Sequence, residues 1–531
     1  MINKKAVSKF LARKLENFDW IKKYKKLELL NELSYLEPVP QFGKIKPWAH
    51  QMALFLLCLV LKRFMINSDM GSGKTVIVLM ILIYRKQCGE KPRAIVFVPY
   101  ITSVLTWIEE VEDKCPTLKL VPLLGTSEQN LAALQGDGDL FVACYQSAVA
   151  MVTETVFNKK KNKNEWQLTA AQVRKYFDGF DTIILDEVHK ASSASSLTYR
   201  MCRAISKECE WAFGLTGTPF GRDPIGLWPQ YYLIDFGETL GPTLEFFKAV
   251  FYTEGRNYWG GYEFTFKKKL EPDLHRMVKN RSIYYAIDEL HDMPQKIYVT
   301  KTLPPPPDSE GYCKAALQQI NDAVKRGSLG PATKGVGGTG SSVYRIVESN
   351  YLKLRQLSSG FMTLKGEDND KIQVKFDDNP KLEALADLIE SMPADSKMIV
   401  FHHFVYTNEL ISERLKIMKV GHARIWGKQR DPIGQLRKFK ADANCRVLVI
   451  NDQSGSSSLN LQIANYLVFF EQPDSPINRQ QAERRVWRPG QAKRVLIYDL
   501  LVKSTKDYAL HASNKAGEDL LQSIIAGRTK L

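Results

Sequence analysis

From about Lys46 onward, short apolar runs alternate with longer stretches in which apolar and polar residues mix at helical spacing. Runs of four or five apolar residues have the length of buried strands, and helices between them predict a parallel sheet covered on both faces. The first region has predicted strands at Phe64–Asn67, Ala94–Val98, Leu140–Cys144, Thr182–Leu185 and Trp211–Leu215. After Lys381 the pattern resumes, with predicted strands at Met398–Phe401, Val447–Ile450, Tyr466–Phe470 and Val495–Leu500.

Two stretches interrupt this pattern. Lys159–Lys163 (KKKNK) predicts an exposed basic loop. Leu303–Ser342 begins with four prolines, which predict a stiff connector, continues in a predicted helix at Gly311–Arg326, and ends in a glycine-rich stretch that predicts flexibility. The chain is therefore predicted to have a basic helical lead at 1–45, a first α/β lobe with a helical extension at 46–300, a linker with a helical insertion at 301–375, and a second α/β lobe at 376–531.

Length and composition fit this division. A chain of 531 residues is longer than one ordinary core and suggests roughly two to four domains. Met52–Leu61, the longest apolar run, has about half of the roughly 20 residues that cross a bilayer, so it predicts a buried helix. The eight cysteines form no CxxC, which argues against a zinc site or a disulfide framework. We therefore expect a soluble, cytoplasmic protein, a monomer, with no membrane partner.

The net charge of +16 attracts phosphate backbones through counterion release. It attracts acidic membranes and acidic proteins as well. Charge alone therefore does not choose between these partners.

A phosphate-binding loop is predicted at Ser68–Thr75 (SDMGSGKT), between a predicted strand and an apolar helix. Glycines there let backbone N–H groups face phosphates, and the helix N-terminus adds a favourable dipole. Lys74 is predicted to reach the β- and γ-phosphates of ATP, and the Thr75 hydroxyl to ligate Mg²⁺. Ser68 stands where the strict pattern has glycine. The predicted nucleotide-binding residues are Met70, Gly71, Ser72, Gly73, Lys74 and Thr75.

Two acids, Asp186 and Glu187, follow a predicted strand in the sequence DEVH. Acids at the carboxyl end of a strand lie where an open α/β sheet binds ligands. Asp186 is predicted to hold Mg²⁺ and Glu187 to orient and deprotonate the attacking water. Further on, Thr216 and Thr218 of LTGTP are predicted to hydrogen-bond towards these acids and relay the state of the γ-phosphate.

Arginines are supplied by the second region in QAERRVWRPGQ, Gln481–Gln491. A helix beginning at Pro476 after Asp474 or Ser475 would place Gln481 and Arg485 four residues apart on one face, with Arg488 near its end. An arginine delivered to a γ-phosphate neutralises transition-state charge. A solvated basic helix is the alternative that spacing alone leaves open.

In order along the chain, these segments resemble the superfamily 2 helicase-like motors, and most closely the compact Swi/Snf-type DNA translocases of phages and bacteria. The resemblance covers about Lys46 to about Tyr508. KPWAHQ resembles the glutamine motif, which implies that Gln51 contacts the adenine base. AIVFVPYITSVLTWIEEVEDK and VACYQSA resemble the next two segments, which implies coupling or nucleic-acid contacts by Pro99, Trp107, Tyr145 and Ser147.

The second region extends the resemblance through KMIVFHHF, ARIWGKQR, QSGSSSLNLQIAN and the final QAERRVWRPGQ. Two departures are Ser458, where a glycine is usual, and Val188, where alanine is commoner. The resemblance implies two tandem RecA-like lobes, built on parallel sheets flanked by helices, with the ATP site in the cleft between them. It also implies nucleic-acid roles for Ser457 and Asn460, whereas for His402 a DNA contact and simple loop polarity remain alternatives.

These observations predict a DNA-stimulated ATPase that uses Mg·ATP to step along duplex or branched DNA. We expect it to act in replication, recombination or repair, and a protein partner is one option. A strand-separating or branch-migrating helicase is the first rival; a separating hairpin would favour it, and none is identifiable in the sequence. The terminal Gly490-Gln491 disfavours an RNA helicase. Intact Lys74, Glu187 and Arg488 argue against an ATP-gated scaffold.

Overall fold

The computed structural model describes residues 36–158, 163–256, 262–290, 293–315, 318, 352–365, 371–426, 431–452, 460–503 and 506–521. The chain divides into two compact units, the first comprising residues 1–253, 266–292 and 519–531 and the second 254–265 and 293–518. Several predictions lie outside the described residues, namely the lead at 1–35, the glycine-rich stretch at 330–342, most of the helix predicted at 311–326, and Ser457 and Ser458.

Seven strands of the first unit form one sheet in the order β11-β1-β8-β7-β2-β4-β3, and every neighbouring pair is parallel. The strands before residue 293 are β1 (Arg63–Ile66), β2 (Ala94–Val98), β3 (Leu120–Pro122), β4 (Leu140–Cys144), β5 (Thr153–Asn158), β6 (Lys163–Leu168), β7 (Thr182–Asp186), β8 (Trp211–Leu215), β9 (Tyr252–Arg256), β10 (Tyr262–Phe266) and β11 (Ser282–Ile283). The remaining four form two further pairs, β5 with β6, which are antiparallel, and β9 with β10.

The helices of this part of the chain cover the sheet. They are α1 (Ala49–Leu61), α2 (Lys74–Gln87), α3 (Ile101–Lys114), α4 (Ser127–Gln135), α5 (Tyr145–Val152), α6 (Ala170–Phe177), α7 (Leu197–Glu208), α8 (Leu227–Asp235), α9 (Leu244–Phe251), α10 (Glu271–Val278) and α11 (Ile287–Leu290), with 3₁₀ turns at Val188–Ala191, Pro224–Gly226 and Lys268–Leu270. The apolar run predicted to be a buried helix is α1, whose Leu54 and Phe55 are fully buried against α2, α3 and the sheet.

The second unit contains a six-stranded sheet in the order β12-β19-β18-β15-β17-β16, also parallel throughout, and an antiparallel hairpin, β13–β14. Its strands are β12 (Lys296–Leu303), β13 (Phe361–Lys365), β14 (Lys371–Lys375), β15 (Met398–His402), β16 (Gly421–Ile425), β17 (Cys445–Asn451), β18 (Tyr466–Phe469) and β19 (Val495–Val502). Its helices are α12 (Pro380–Ser391), α13 (Val405–Ile417), α14 (Pro432–Ala441), α15 (Pro476–Val486) and α16 (Lys506–Leu521).

The prediction of two parallel α/β units is confirmed, and three strands, β2, β4 and β8, have the predicted bounds. One difference concerns where the second unit begins. Strand β12 starts at Lys296 and pairs with β19 along its whole length, so the chain enters the second sheet before the predicted boundary at 300. Because β12 is an edge strand with alternating half-buried and exposed residues, it lacks the apolar run that marked the other strands. Among the helices described, none combines the length and apolar character needed to span a membrane.

Candidate nucleotide-binding site

Strand order alone brings three predicted motifs to one edge of the first sheet. Strands β1, β8 and β7 are neighbours and parallel, so their carboxyl ends lie side by side. The loop Ser68–Gly73 follows β1, the LTGTP turn follows β8, and Asp186 and Glu187 end β7. Ligands of open α/β sheets bind at this edge.

The loop after β1 has the backbone of a phosphate-binding loop. Gly71 and Gly73 have φ angles of 88° and 75°, in the left-handed region that favours glycine. At Gly73 an added Cβ would also lie 2.2 Å from the Gln51 Nε2 atom, so a side chain there would displace the Gln51 amide. Because α2 begins at Lys74, the loop lies at the N-terminus of a helix of 14 residues, the positive end of its dipole.

Lys74 extends back across this loop. Its Nζ atom donates to the backbone carbonyls of Ser68, at 2.9 Å, and Asp69, at 3.2 Å. Ser68, which replaces the usual glycine, is fully buried. The ammonium group is therefore held where a bound phosphate would compete for it.

Gln51 is hydrogen-bonded to the phosphate-binding loop. Its Oε1 accepts from the Trp48 N–H at 2.8 Å, and its Nε2 donates to the Ser72 carbonyl at 3.1 Å, which His50 also contacts at 2.9 Å. Both ends of the amide are engaged, and the side chain is buried. The adenine contact implied for Gln51 stays a prediction.

Asp69 is a site residue that sequence reasoning missed. Its carboxylate accepts from the Tyr284 hydroxyl at 2.6 Å and from the Ile287 N–H at 3.0 Å, while its own N–H donates to the Tyr285 carbonyl at 3.1 Å. These bonds tie the phosphate-binding loop to the segment after β11. Nothing in SDMGSGKT distinguishes this buried acid from an ordinary loop aspartate, because its partners lie more than two hundred residues away.

The two acids after β7 lie in different environments. Burial raises the pKa of Asp186 to about 6, with a further increase from the adjacent Glu187, although the Trp107 indole donates to the Asp186 Oδ2 at 3.1 Å. Burial also acts to raise the pKa of Glu187, but hydrogen bonds from His189 and Thr216 and the charge of Lys74 hold it below its ordinary value. Glu187 is thus ionised at neutral pH, as a general base requires.

Glu187 also has a strained backbone, with a φ of 50° in a residue other than glycine. Such conformations cost of order 1–3 kcal/mol and cluster at functional sites. The strain places the Glu187 carboxylate 3.2 Å from both the Thr216 hydroxyl and the His189 Nδ1.

The LTGTP turn connects the acids to the loop. Thr216 donates to Glu187 and accepts from the Thr218 N–H at 3.1 Å. A Cβ at Gly217 would lie 3.2 Å from the Ser68 carbonyl oxygen, so the turn packs directly on the phosphate-binding loop. Thr216 and Thr218 are both buried, which fits the predicted relay better than a surface turn.

These residues fit Mg·ATP. The described parts of the chain hold no group of three or more His, Cys, Asp or Glu arranged for a metal ion, and Mg²⁺ characteristically takes one or two carboxylates and completes its shell with phosphates and water. The Asp186 carboxylate and the Thr75 hydroxyl would supply the protein ligands. A bound Mg²⁺ would neutralise phosphate charge and favour the ionised form of Asp186, whose pKa is raised by burial and by the adjacent Glu187.

The residues predicted to couple ATP hydrolysis to nucleic acid differ in their exposure to solvent. Pro99 and Trp107 are buried, and Ser147 is half-buried at the first turn of α5. Tyr145 is also buried, with its ring stacked on Phe97 at 5.9 Å, so the structure gives it a packing role behind the acids. A nucleic-acid contact by Tyr145 would require uncovering this side chain.

His402, in the second unit, is fully buried as well. Its Nε2 lies 2.9 Å from the Asn408 Nδ2 and its Nδ1 3.0 Å from the Phe404 carbonyl. Burial lowers the pKa of His402. Of the two alternatives left open for it, a DNA contact and loop polarity, the structure favours neither; it places His402 in internal packing.

Helix α15 carries the predicted arginines of the second unit. Ser475, one of the two predicted caps, accepts from the Ile477 N–H at 3.1 Å. Gln481 and Arg485 are buried and Arg488 is half-exposed. The Arg485 carbonyl accepts from the Leu461 N–H at 3.0 Å, which brings the exposed Asn460 beside this end of the helix.

Two further residues, for which no role in positioning the helix was predicted, fix α15 in place. The buried Arg479 pairs with Asp499 of β19 and with Glu483 at 2.7 Å, above the Phe469 ring. The Gln491 Nε2 donates to the carbonyls of Gln462 and Ala464 at 2.9 and 2.8 Å. Apart from Glu483, four residues after Arg479, these partners lie outside the segment, so the segment itself indicates only a basic helix.

Comparison with known families decides the assignment. Residues 58–307 match the model of the SNF2-related domain, and residues 380–490 match the helicase conserved C-terminal domain. The chain belongs to the SNF2-related, helicase-like ATPases. The resemblance seen in the motifs is thereby confirmed.

Similar proteins agree with this membership. The chain is 22% identical over 519 residues to the SWI/SNF-related matrix-associated actin-dependent regulator of chromatin subfamily A containing DEAD/H box 1 homolog of Caenorhabditis elegans, covering 87% of this chain and 49% of that protein. It is 23% identical over 530 residues to the ATP-dependent helicase FUN30 of Saccharomyces cerevisiae, covering 85% and 44%. The chain thus spans less than half the length of these relatives.

A solved structure, the Sulfolobus solfataricus SWI2/SNF2 ATPase core in complex with dsDNA, is 18% identical and covers 92% of this chain and 94% of that one. Its TM-score is 0.38. The two parallel sheets themselves establish the fold.

Trp107→Phe tests the indole bond to Asp186. The substitution keeps an aromatic ring and removes the N–H donor, and hydrogen bonds to charged groups are worth about 1.5–3 kcal/mol. We expect the Mg²⁺ concentration that half-saturates ATPase activity to rise by about tenfold, with a smaller change in kcat.

Trp228→Phe is the matched control, since its indole donates to the Gly241 carbonyl at 2.9 Å in the same unit and not to either acid. It should leave the Mg²⁺ dependence unchanged. Equal Mg²⁺ dependence in Trp107→Phe and the wild type would show that the indole does not position the Asp186 carboxylate.

Proposed function

We propose that this protein is a DNA-stimulated ATPase that couples Mg·ATP hydrolysis to movement along duplex DNA. The observation that carries the proposal is the convergence of Lys74, Asp186, Glu187 and Thr216 at one edge of the first sheet, in a chain of the SNF2-related family. Each group has a role in phosphoryl transfer to water.

In the proposed reaction, Lys74 exchanges its bonds to the loop carbonyls for phosphate oxygens. Glu187, ionised and oriented by Thr216 and His189, accepts a proton from the attacking water. Asp186 and Thr75 would hold the metal ion. The Thr216–Gly217 turn lies against both the acid and the loop, so it is placed to respond when the γ-phosphate leaves.

Arg485 and Arg488 are proposed to supply positive charge to the γ-phosphate during hydrolysis, with Gln481 orienting the same group. Support comes from the anchoring of α15 through Arg479 and Gln491, which holds the arginine-bearing end in a defined place. Pre-organised arginines cost little reorganisation when charge develops.

DNA is the proposed polymer because of the net charge of +16 and the family. Movement on duplex or branched DNA, a role in replication, recombination or repair, and a protein partner all belong to this proposal. Among the relatives, one is named for chromatin regulation and another as a helicase.

Movement is tested by displacement of a triplex-forming oligonucleotide from duplex DNA. A protein that steps along the duplex should strip the third strand in an ATP-dependent manner, and more slowly as the distance to it grows. Release that is independent of ATP or of distance would remove translocation from the proposal while leaving the ATPase intact.

Arg488→Ala should leave nucleotide binding within about twofold and lower kcat by about 10³, because arginines of this kind act chiefly on the transition state. Fluorescent-nucleotide binding and steady-state turnover separate the two effects. Arg484→Ala is the matched control on the same helix, where Arg484 lies over the Trp487 ring at 4.8 Å. Weakened binding with normal turnover would contradict the assignment of Arg488.

A further inference from the structure

An antiparallel hairpin, β5–β6, is inserted in the first unit between α5 and α6. In its register Thr155 lies opposite Trp166 and Phe157 opposite Asn164. Because side chains alternate along a strand, Phe157 and Trp166 share one face as diagonal neighbours. Their side chains are 53% and 58% exposed, which is unusual for two large aromatic residues so close together.

The same face continues into a groove at the foot of the hairpin. Leu168 lies two residues after Trp166 and therefore on the same face of β6, and it lines a groove of about 450 Å³ between α6 and α7. The floor of the groove is apolar, with Val173 and Phe177. Aromatic face and groove thus form one continuous surface.

Charge along this groove is mostly positive. Arg200, Arg203 and Lys207 are spaced along one side of α7, and Arg174 of α6 lines the opposite wall. Asp178 and Glu208 also line it, so four cationic groups stand against two acidic ones. All four cationic residues are exposed, and they are therefore available to a polyanion.

We propose that the Phe157–Trp166 face and the groove at its foot together bind single-stranded nucleic acid. Unpaired bases stack on exposed aromatic rings whatever their sequence, while cationic grooves follow the phosphate backbone. The surface offers the two features next to each other. This inference rests on the proposed function in one respect: the single-stranded nucleic acid would be a DNA strand that becomes exposed while the motor acts on DNA.

An acidic protein would also be attracted by the arginines, but it has no need of two protruding aromatic rings. Packing within the unit does not explain the rings either, since more than half of each side chain is exposed. The residues 159–162 between the strands lie outside the described part of the chain and are not included in the site.

Binding of a fluorescein-labelled thymidine oligonucleotide, followed by anisotropy, tests the proposal. The double variant Phe157→Ala, Trp166→Ala should bind it about tenfold or more weakly, the loss expected when base–aromatic stacking is removed. Arg200→Ala with Lys207→Ala should also weaken binding and flatten its salt dependence. Val156→Ala, on the opposite face of the same hairpin and 39% exposed, is the matched control and should bind like the wild type.

ATPase activity stimulated by a blunt duplex is measured for every variant. It reports whether the variant is folded and whether the proposed function holds, and it does so independently of oligonucleotide binding. Unchanged oligonucleotide binding by the aromatic double variant would overturn the inference. The inference would also be overturned if the wild-type protein bound polyglutamate as tightly as the oligonucleotide and this binding depended on Arg200 and Lys207. That result would indicate an acidic protein partner.

The two proposals can fail independently. Duplex-stimulated ATPase without any oligonucleotide binding overturns the hairpin site and leaves the proposed function standing. Oligonucleotide binding that requires Phe157 and Trp166, in a protein whose ATPase does not respond to duplex DNA, supports the hairpin site and contradicts the proposed function.

Discussion

Replacing Lys74 by alanine should lower ATP turnover by at least about 10²–10³-fold, the loss typical when a positioned electrostatic donor is removed from a transition state. The Lys74 ammonium lies inside the phosphate-binding loop, on the carbonyls of Ser68 and Asp69. Its charge favours the ionised form of both acids, although burial still leaves the pKa of Asp186 raised, so the cation and the two acids share one site. Steady-state phosphate release at saturating duplex DNA measures the effect.

Lys86→Ala is the matched control for Lys74→Ala. It removes the same charge from the other end of α2, where Lys86 pairs with Asp139 at 2.8 Å. This variant should turn over at close to the wild-type rate, with at most a small loss of thermal stability. If Lys74→Ala kept a tenth or more of the wild-type rate, the assignment of the loop would be wrong.

Glu187→Gln should bind ATP with near wild-type affinity and hydrolyse it about 10²–10⁴-fold more slowly, the contribution usual for a general base. The amide is almost the same size but cannot take a proton from water. The bonds from Thr216 and His189 show that the structure orients this carboxylate rather than leaving it in solvent. Equilibrium binding of a fluorescent nucleotide and single-turnover hydrolysis measure the two effects.

For Glu187→Gln the control is Glu210→Gln, an exposed acid that pairs with Lys62 at the start of β8, the opposite edge of the sheet. It should behave like the wild type in both assays. Normal single-turnover hydrolysis by Glu187→Gln would mean that another group takes the proton.

Motifs that are local in sequence were predictable. The Lys74 loop, the acid pair and the LTGTP turn each depend on a strand followed at once by a short polar segment, and their meeting follows from the strand order. The same holds for α15, whose beginning after Ser475 follows from proline and capping preferences.

Features made by distant partners could not be predicted. The Trp107–Asp186 bond joins residues 79 apart, and the Asp69–Tyr284 bond residues 215 apart. The resemblance singled out Trp107 without indicating what its indole contacts. For Gln51 it implied a base contact, which stays a prediction. It did not indicate the hydrogen bonds that the Gln51 amide makes with Trp48 and with Ser72 of the loop.

Polar strands were missed for a related reason. The sequences TETVFN and KNEWQL of β5 and β6 contain few apolar residues, because this hairpin is largely exposed. A search for apolar runs therefore passes over it, although a hairpin was the feature that would have favoured the strand-separating rival. Its exposed aromatic face is visible only once the register is known.

The central claim, that nucleic acid controls ATP hydrolysis at the site on the first sheet, is tested most directly by ATPase rates. These are measured without nucleic acid and then with duplex DNA, single-stranded DNA, a branched junction and RNA, using Lys74→Ala as the background control. The account predicts strong stimulation by duplex or branched DNA that disappears in Lys74→Ala. A rate that no nucleic acid increases, or one that Lys74→Ala retains, would contradict it.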